Sequence, residues 1–425
     1  MGIEKKAAEL AQVIQQQEHV DIITHCDADG ITGAAIAKQA LDRAGIQNEV
    51  RVVRYLNKQV LEETRSFAWL IDLGNGNIRD IKKGQTVITD HHFSNEYYEY
   101  SLNPFYFGVD GETQVSGAGL AHMVASRIAD IDATLAIIGA IGDLQDVQHR
   151  RLVGLNRVLL RNSRIDAKKD LRMYGRNQPL FRMIAYASDP AIPGLFKRDR
   201  SAIGFLTHLG IDYKKSWVEC THEERKTLFS ALVKILLERG FGYHHAERLF
   251  GEVYEMDGED IRNHATLLNS IGKYGEGESA VAMCIEEKFD GEAIRRKHRN
   301  RIRKYIAYAK SRLDGYGELY YFHGGTYIID TVVGTIAGML LRDEDFAGPL
   351  LAFAENDEGI KVSARAPYPL VQKGLNLSLA MKHTAQMLGG DGGGHRAAAG
   401  ALIPKGMEEQ FLHMFDAEIK NQLTR

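Results

Sequence analysis

Three short stretches of the sequence gather side chains that bind divalent ions. HCDADG carries His25, Asp27 and Asp29, IDLG carries Asp72, and VITDHH carries Asp90, His91 and His92. An Asp- and Gly-rich turn is ordinary by itself. Here each stretch follows an apolar run, at residues 20–23, 67–71 and 86–89, so carboxylates or imidazoles appear where a buried strand would end. Alternate residues of an extended chain share a face, which predicts that His25, Asp27 and Asp29 point one way.

The elements that must position these groups follow from the same pattern. The first run reads as strand, acidic turn and then a helix through Leu41, and an amphipathic helix over residues 3–17 precedes it. A strand at 49–53, a helix near 58–64 and the strands carrying Asp72 and the DHH triplet complete a strand–helix alternation. That alternation predicts an α/β domain with a parallel sheet, which sets all the strand ends on one edge. Residues 115–128 and 133–141 are rich in small residues and read as closely packed helices, with Asp143 just beyond the second.

HCDADG, IDLG, TDHH and a fourth acidic segment, IGAIGDLQD with Asp143, resemble the four motifs of the DHH phosphoesterase superfamily. Near the other end, VSARA (Ser363, Arg365) and GGDGGGHRAAAG (Gly393, Gly394, His395, Arg396) resemble its DHH-associated substrate domain. Length and arrangement are most similar to archaeal RecJ-like single-strand exonucleases, including those associated with the GINS complex or the fork helicase Hef. The resemblance implies two divalent ions roughly 3.5–4 Å apart, which activate water and neutralise the attacking and leaving oxygens of a phosphodiester. It implies Asp72 as the shared ligand, Asp27 with His25 on one ion, and Asp29, His91 and Asp143 on the other. His92 would meet the scissile phosphate and Asp90 would orient the neighbouring imidazole. Many members place a histidine four residues before the first Asp, whereas His25 stands two before Asp27, so direct ligation by His25 stays open. Carboxylate and imidazole donors without thiolate suit manganese better than calcium, with magnesium and zinc as alternatives.

The rest of the chain fits a nucleic-acid enzyme. Its 425 residues, 44% hydrophobic and 26% charged, suffice for two domains and a linking segment. The longest apolar run, residues 135–141, is far short of a membrane span. MGIEKKAAEL has no apolar signal core, and Lys6 stands where a myristoylation signal wants Ser or Thr. Cys26, Cys220 and Cys284 form no CxxC pair. A cytoplasmic protein without membrane contact is expected. Residues 149–176 hold nine Lys or Arg against two Asp, and residues 295–304 hold a second basic run on a stripe of Ile294, His298, Ile302, Tyr305, Ala309 and Leu313. Both are candidates for tracking a polynucleotide backbone, as against ordinary solvated helix faces. GKYGEG at 272–277 reads as a domain-boundary loop and lacks the GK[ST] of a phosphate loop.

The expected organisation is a DHH catalytic domain at 1–160, a mostly helical middle segment at 161–287, a basic bridging helix at 288–316, and a DHH-associated α/β domain at 317–425. In that last domain the glycines of the GGDGGGH run are expected to form a backbone nest for an anion, with Arg365, His395 and Arg396 as donors. The expected function is a metal-dependent exonuclease on single-stranded DNA or RNA in archaeal replication or repair, with a partner such as GINS or Hef. A phosphodiesterase for short oligonucleotides or cyclic dinucleotides is the alternative.

Overall fold

The computed structural model describes residues 2–187, 190–240, 242–287, 292–343 and 346–423. It forms two compact units, Met1–Phe289 and Asp290–Arg425. The first begins with α1 (Ile3–Gln15), β1 (His19–His25), α2 (Ala28–Ala44), β2 (Gln47–Val53), α3 (Lys58–Glu63), β3 (Phe67–Ile71) and β4 (Thr86–Thr89). The strands form one sheet in the order β2-β1-β3-β4, every pair parallel. Register pairs Thr24 with Ile71 and Ile71 with Thr89, so the three acidic stretches leave the sheet from one row. All of β4 and all but the first residue of β3 are buried, as continuous apolar strands covered on both faces should be. The small-residue helices α4 (Gly117–Ala125) and α5 (Thr134–Gly142) pack against α2.

The middle of this unit contains α6 (Gly154–Arg161), β5 (Asp166–Leu171), α7 (Leu180–Ala185), α8 (Asp199–His208), α9 (His222–Glu238), α10 (Tyr243–Glu247), β6 (Phe250–Met256), β7 (Glu259–Asp260), α11 (Arg262–Lys273) and α12 (Gly277–Ile285). Helices α7 to α9 enclose a core that includes Leu180, Ile184, Leu206, Trp217, Leu228 and Leu232. The expectation of helix omits the antiparallel sheet β5-β6-β7. Strand β5, DAKKDL, is a solvated edge without apolar alternation, which is why it carries no strand signal. GKYGEG is the turn joining α11 to α12 within the first unit, not a boundary between units.

The second unit contains α13 (Glu292–Lys310), β8 (Asp314–Tyr316), β9 (Leu319–His323), α14 (Asp330–Asp343), β10 (Leu350–Glu355), β11 (Ile360–Arg365), α15 (Tyr368–Gln372), α16 (Leu377–Met387), β12 (Asp391–Gly394), β13 (Ala398–Ile403) and α17 (Glu408–Leu423). Its sheet runs β12-β13-β11-β10-β9-β8 and is parallel only between β9 and β10. Phe353, Val362, Met381, Phe411 and Phe415 are in its core.

The two basic runs fold differently. Of the nine Lys and Arg in residues 149–176, Arg151, Arg161 and Lys169 are exposed, while Arg150, Arg157, Arg164, Lys168, Arg172 and Arg176 sit in ion pairs. Their partners include Glu247, Glu252, Glu255, Asp260 and Glu287, too distant in sequence for a local charge count to register. On α13, Ile302, Tyr305 and Ala309 are buried while Arg303 and Lys304 are exposed. The first four residues of the expected bridging segment, 288–291, and the side chains of Ile294, Arg295, His298 and Arg299 lie outside the described residues.

Candidate functional site

The end of β1 gathers its ligands in a way the alternation rule does not foresee. The strand stops at His25, Asp27 caps α2 by accepting the Gly30 N–H at 3.0 Å, and Asp29 lies in the first helical turn. Cap and first turn, rather than one extended face, bring these side chains together. Asp29 is buried, and its carboxylate accepts the Gly117 and Ala118 N–H groups at the start of α4, at 2.7 and 3.1 Å. Helix N-termini favour such an anion.

Asp72 lies just past β3 with φ 57, a left-handed backbone that few non-glycine residues adopt. A Cβ at Gly117 would lie 2.7 Å from the Asp72 Cβ, so glycine there makes room for it. Asp72 is 2% exposed, and both its carboxylate oxygens lack a hydrogen-bond partner among the described residues. The Nδ1 of His25 lies 2.9 Å from Asp27 and 3.4 Å from Asp72. His91 donates from Nδ1 to the Gly111 carbonyl at 2.6 Å, which turns Nε2 inward. That atom has no hydrogen-bond partner among the described residues and lies 3.3 Å from Asp72, 3.7 Å from Asp143 and 3.8 Å from Asp29. Two groups of donors result, His25–Asp27–Asp72 and Asp29–His91–Asp143, with Asp72 also grouped with His91 and His92.

The protonation balance shows strain between like charges. Burial, with the charges of Asp27 and Asp29, pushes the Asp72 carboxyl up to about 7. Burial and Asp29 push Asp143 up to about 6, and burial raises Asp29. Burial opposes charge on both rings, but the nearby carboxylates of Asp27 and Asp72 raise His25, and those of Asp72, Asp29 and Asp143 raise His91. Burial opposes ionisation of Asp27, but its bond to His25 holds it down at about 2. Four carboxylates therefore face three imidazoles. Two divalent ions carry the charge that would balance those carboxylates once the rings are neutral, and the orphaned Asp72 and His91 atoms fit such ions.

Asp90 and His92 border this cluster. The Asp90 carboxylate accepts the Asn75 N–H at 2.9 Å and the His92 Nδ1 at 2.7 Å, and that bond raises the His92 pKa. The His92 side chain is 61% exposed. Two positioning residues escaped the sequence reading. Asn75 also donates to the Asp90 and His92 carbonyls, at 2.8 and 3.0 Å. Gln145 donates to Asp143 at 3.0 Å and to the Gly111 carbonyl at 2.9 Å, and accepts from Asn156 at 2.6 Å. Their partners come from separate loops; proximity to the motifs, in IDLGNG and GDLQD, is the only signal they gave.

In the second unit, Ser363 and Arg365 share one face of β11 with Lys361, a cation the sequence reading missed. Burial lowers the Lys361 pKa, opposed by Asp330. Ser363 pairs with Gly400, and Gly400 with Gly393, a row of small residues across three strands. The glycine-rich run is not the loop nest expected: residues 391–394 form edge strand β12, and His395 and Arg396 are exposed in its turn to β13. Pairing with β13 fixes these glycines as a strand despite their weak preference for it. A Cβ at Gly392 would lie 2.9 Å from the Met381 carbonyl, whereas one at Gly393 would meet nothing within 4 Å. Packing within the unit therefore explains Gly392 but not Gly393.

Three family models match the chain: the DHH family N-terminal domain over residues 19–147, the DHH-CID domain over 173–250 and the DHHA1 domain over 319–421. An uncharacterized protein of Methanocaldococcus jannaschii is 30% identical over 441 residues, covering 97% of this chain and 96% of the relative. Exonuclease RecJ bound to manganese aligns with TM-score 0.55 and 18% identity over 99% of this chain and 94% of that one. CDC45 from Entamoeba histolytica aligns with TM-score 0.59 and 13% identity over 98% of both. At these identities the two structures share the fold.

Proposed function

The chain belongs to the DHH phosphoesterase superfamily, and we propose that within it this protein is a metal-dependent exonuclease that hydrolyses single strands from an end. The observation that carries the reading is the set of orphaned atoms, both oxygens of Asp72 and the Nε2 of His91, facing one another inside a ring of carboxylates. Asp72 would be shared between two ions, Asp27 with His25 would hold one, and Asp29, His91 and Asp143 the other. Such ions supply Lewis-acid stabilisation of the attacking and leaving oxygens and make water nucleophilic near neutral pH. Manganese suits the donor set, and the RecJ structure of the same fold was solved with it.

The chain's own residues do the rest. Gly111 fixes the His91 tautomer, so that Nε2 faces the carboxylates. His92 is held on Asp90, whose bond favours the charged ring, and in that form donates its outer N–H to a phosphate oxygen. Lys361, Ser363, Arg365, Gly393, Gly394, His395 and Arg396 bind the phosphate of the strand end, a role supported by the cationic face of β11 and by a Gly393 that packing leaves unexplained. Arg303 and Lys304 on α13 support binding along the strand.

Digestion of single strands labelled at either end, DNA and RNA in parallel with manganese, tests this. Stepwise release of mononucleotides from one end is expected. Cleavage confined to dinucleotides would favour the small-substrate phosphodiesterase, and no cleavage of any strand would overturn the reading.

A further inference from the structure

A cavity of about 300 Å³ lies in the first unit, lined by Arg172, Arg248, Arg262, Tyr174, Leu144 and Asn269 among others, with no carboxylate among its described lining residues. The volume is at the lower end of the range for small-molecule sites. Its wall includes both sequence neighbours of Asp143, Gly142 and Leu144. Helix α11, which supplies Arg262, Thr266 and Asn269, is seated on the turn that carries Asp27. The Asn269 side chain accepts the Ala28 N–H at 2.8 Å, and a Cβ at Gly272 would lie 1.7 Å from the Cys26 carbonyl oxygen. From Arg262 to Asn269 the helix rises about 10 Å, so the arginine wall lies a short strand's reach from the acidic turn.

The wall is built for an anion with an aromatic group attached. Arg172 and Arg262 share a single acceptor, Oδ2 of the buried Asp146, with Arg262 at 2.5 Å. Asp260 also acts on Arg262, and the shared bond to Asp146 orients both forks before a ligand arrives. Nor is the arrangement closed upon itself: Arg172 Nε and Asp146 Oδ1, both buried, have no hydrogen-bond partner among the described residues. Two large apolar groups stand exposed in the same wall, Tyr174 at 44% and Leu144 at 67%. Leu144 is moreover held at φ 59, a backbone state that disfavours a branched side chain and marks functional loops more than packing ones.

We infer that this cavity is a nucleotide subsite of the same enzyme, taking a phosphate on the Arg172–Arg262 pair and a base against Tyr174. The inference rests on the phosphodiesterase reading of the carboxylate–histidine cluster and names where the nucleotide beside the scissile bond is held. An aromatic face accepts any base, so the subsite gives affinity without sequence preference.

Changing Arg172 or Arg262 would strand the buried Asp146 charge and risk unfolding, so the test uses two exposed positions, Tyr174→Ala and Thr266→Trp, the second obstructing the cavity from the outer face of α11. The full-length chain is titrated with a fluorescent six-nucleotide oligothymidylate in chelator, and manganese binding, which involves no nucleotide, is measured beside it by equilibrium dialysis. Each variant should weaken the strand's Kd by about tenfold while binding manganese as the parent does. Kd values within about twofold of the parent in both variants, or a loss of strand and manganese binding in step, would overturn the subsite. A parent that binds the strand but cleaves no phosphodiester with manganese would instead overturn the phosphodiesterase reading, and strand binding still sensitive to both substitutions would leave the nucleotide site standing.

Discussion

Arg176 and Asp72 each lie at the centre of a buried charged cluster in the first unit, and the clusters differ in how they are completed. Around Arg176, Asp170, Glu255 and Asp260 approach at 3.1, 2.9 and 3.2 Å, Lys168 pairs with Glu255 at 2.5 Å, and the Trp217 indole donates to Asp170 at 2.9 Å. Around Asp72, carboxylates outnumber imidazoles, and the central oxygens have no hydrogen-bond partner among the described residues. The first cluster is satisfied by the chain itself and ties β5 to β6 and β7. The second is the one we propose to be completed by cations from outside. An excess of one charge, buried and unbonded, is expensive to maintain unless a ligand relieves it.

The comparison breaks most visibly at Asp72. Asp72→Asn removes the charge proposed to be shared between two ions and should lower phosphodiester turnover by roughly three orders of magnitude. The metal-free protein should not lose stability, because the variant removes a carboxylate that burial already disfavours. Near-normal turnover by the variant, or a lower melting temperature without metal, would contradict this. Arg176→Met should act in the opposite sense. Removing the buried partner of Asp260 and of the half-buried Asp170 and Glu255 should destabilise by about 3–5 kcal/mol in urea unfolding. Turnover per folded molecule should survive. Unchanged stability would mean that the network is decorative.

A pH series sharpens the same contrast. Asp72 is raised from 3.8 to about 7, so its contribution to metal-free stability is full below its unfolded value and is lost as pH rises through 7. Asp143, raised to about 6, and the raised His25 and His91 act with the same sign, whereas Asp27, lowered to about 2, matters only in acid. Ligation requires the same protons to leave. The melting-temperature gap between manganese-loaded and metal-free protein should therefore widen between pH 5.5 and 8, by about 5 °C or more. A gap that stays constant would count against the cluster as the ligand set.

The smallest effect separates the two basic runs. Arg303→Gln with Lys304→Gln should weaken long-strand binding a few-fold and reduce the slope of log K against log salt by roughly 0.7 for each phosphate no longer neutralised. Arg157→Gln, whose side chain is paired with Glu252 at 2.5 Å, should leave the slope unchanged. Equal slopes for all three proteins would show that neither run tracks the strand.

What could be read from the sequence was what is local. Three apolar runs ending in Asp or His announced β1, β3 and β4 and the edge they share, because parallel strands write their burial directly into composition. Asp29 reached the cluster by a helical turn the period-two rule did not contain. Strand β5 was invisible because its face is solvated, and β12 because glycine suggests loops until a neighbouring strand fixes it. Gln145, Asn75 and the carboxylates around Arg176 were hidden for another reason: each acts through partners on separate elements, and only the fold brings them together.

The account stands most directly on the number of ions the cluster holds. Equilibrium dialysis of manganese against the full chain should give two tightly bound ions per molecule, and at most one in Asp72→Asn. A parent that binds one ion or none, or an Asp72→Asn variant that still binds two, would contradict it.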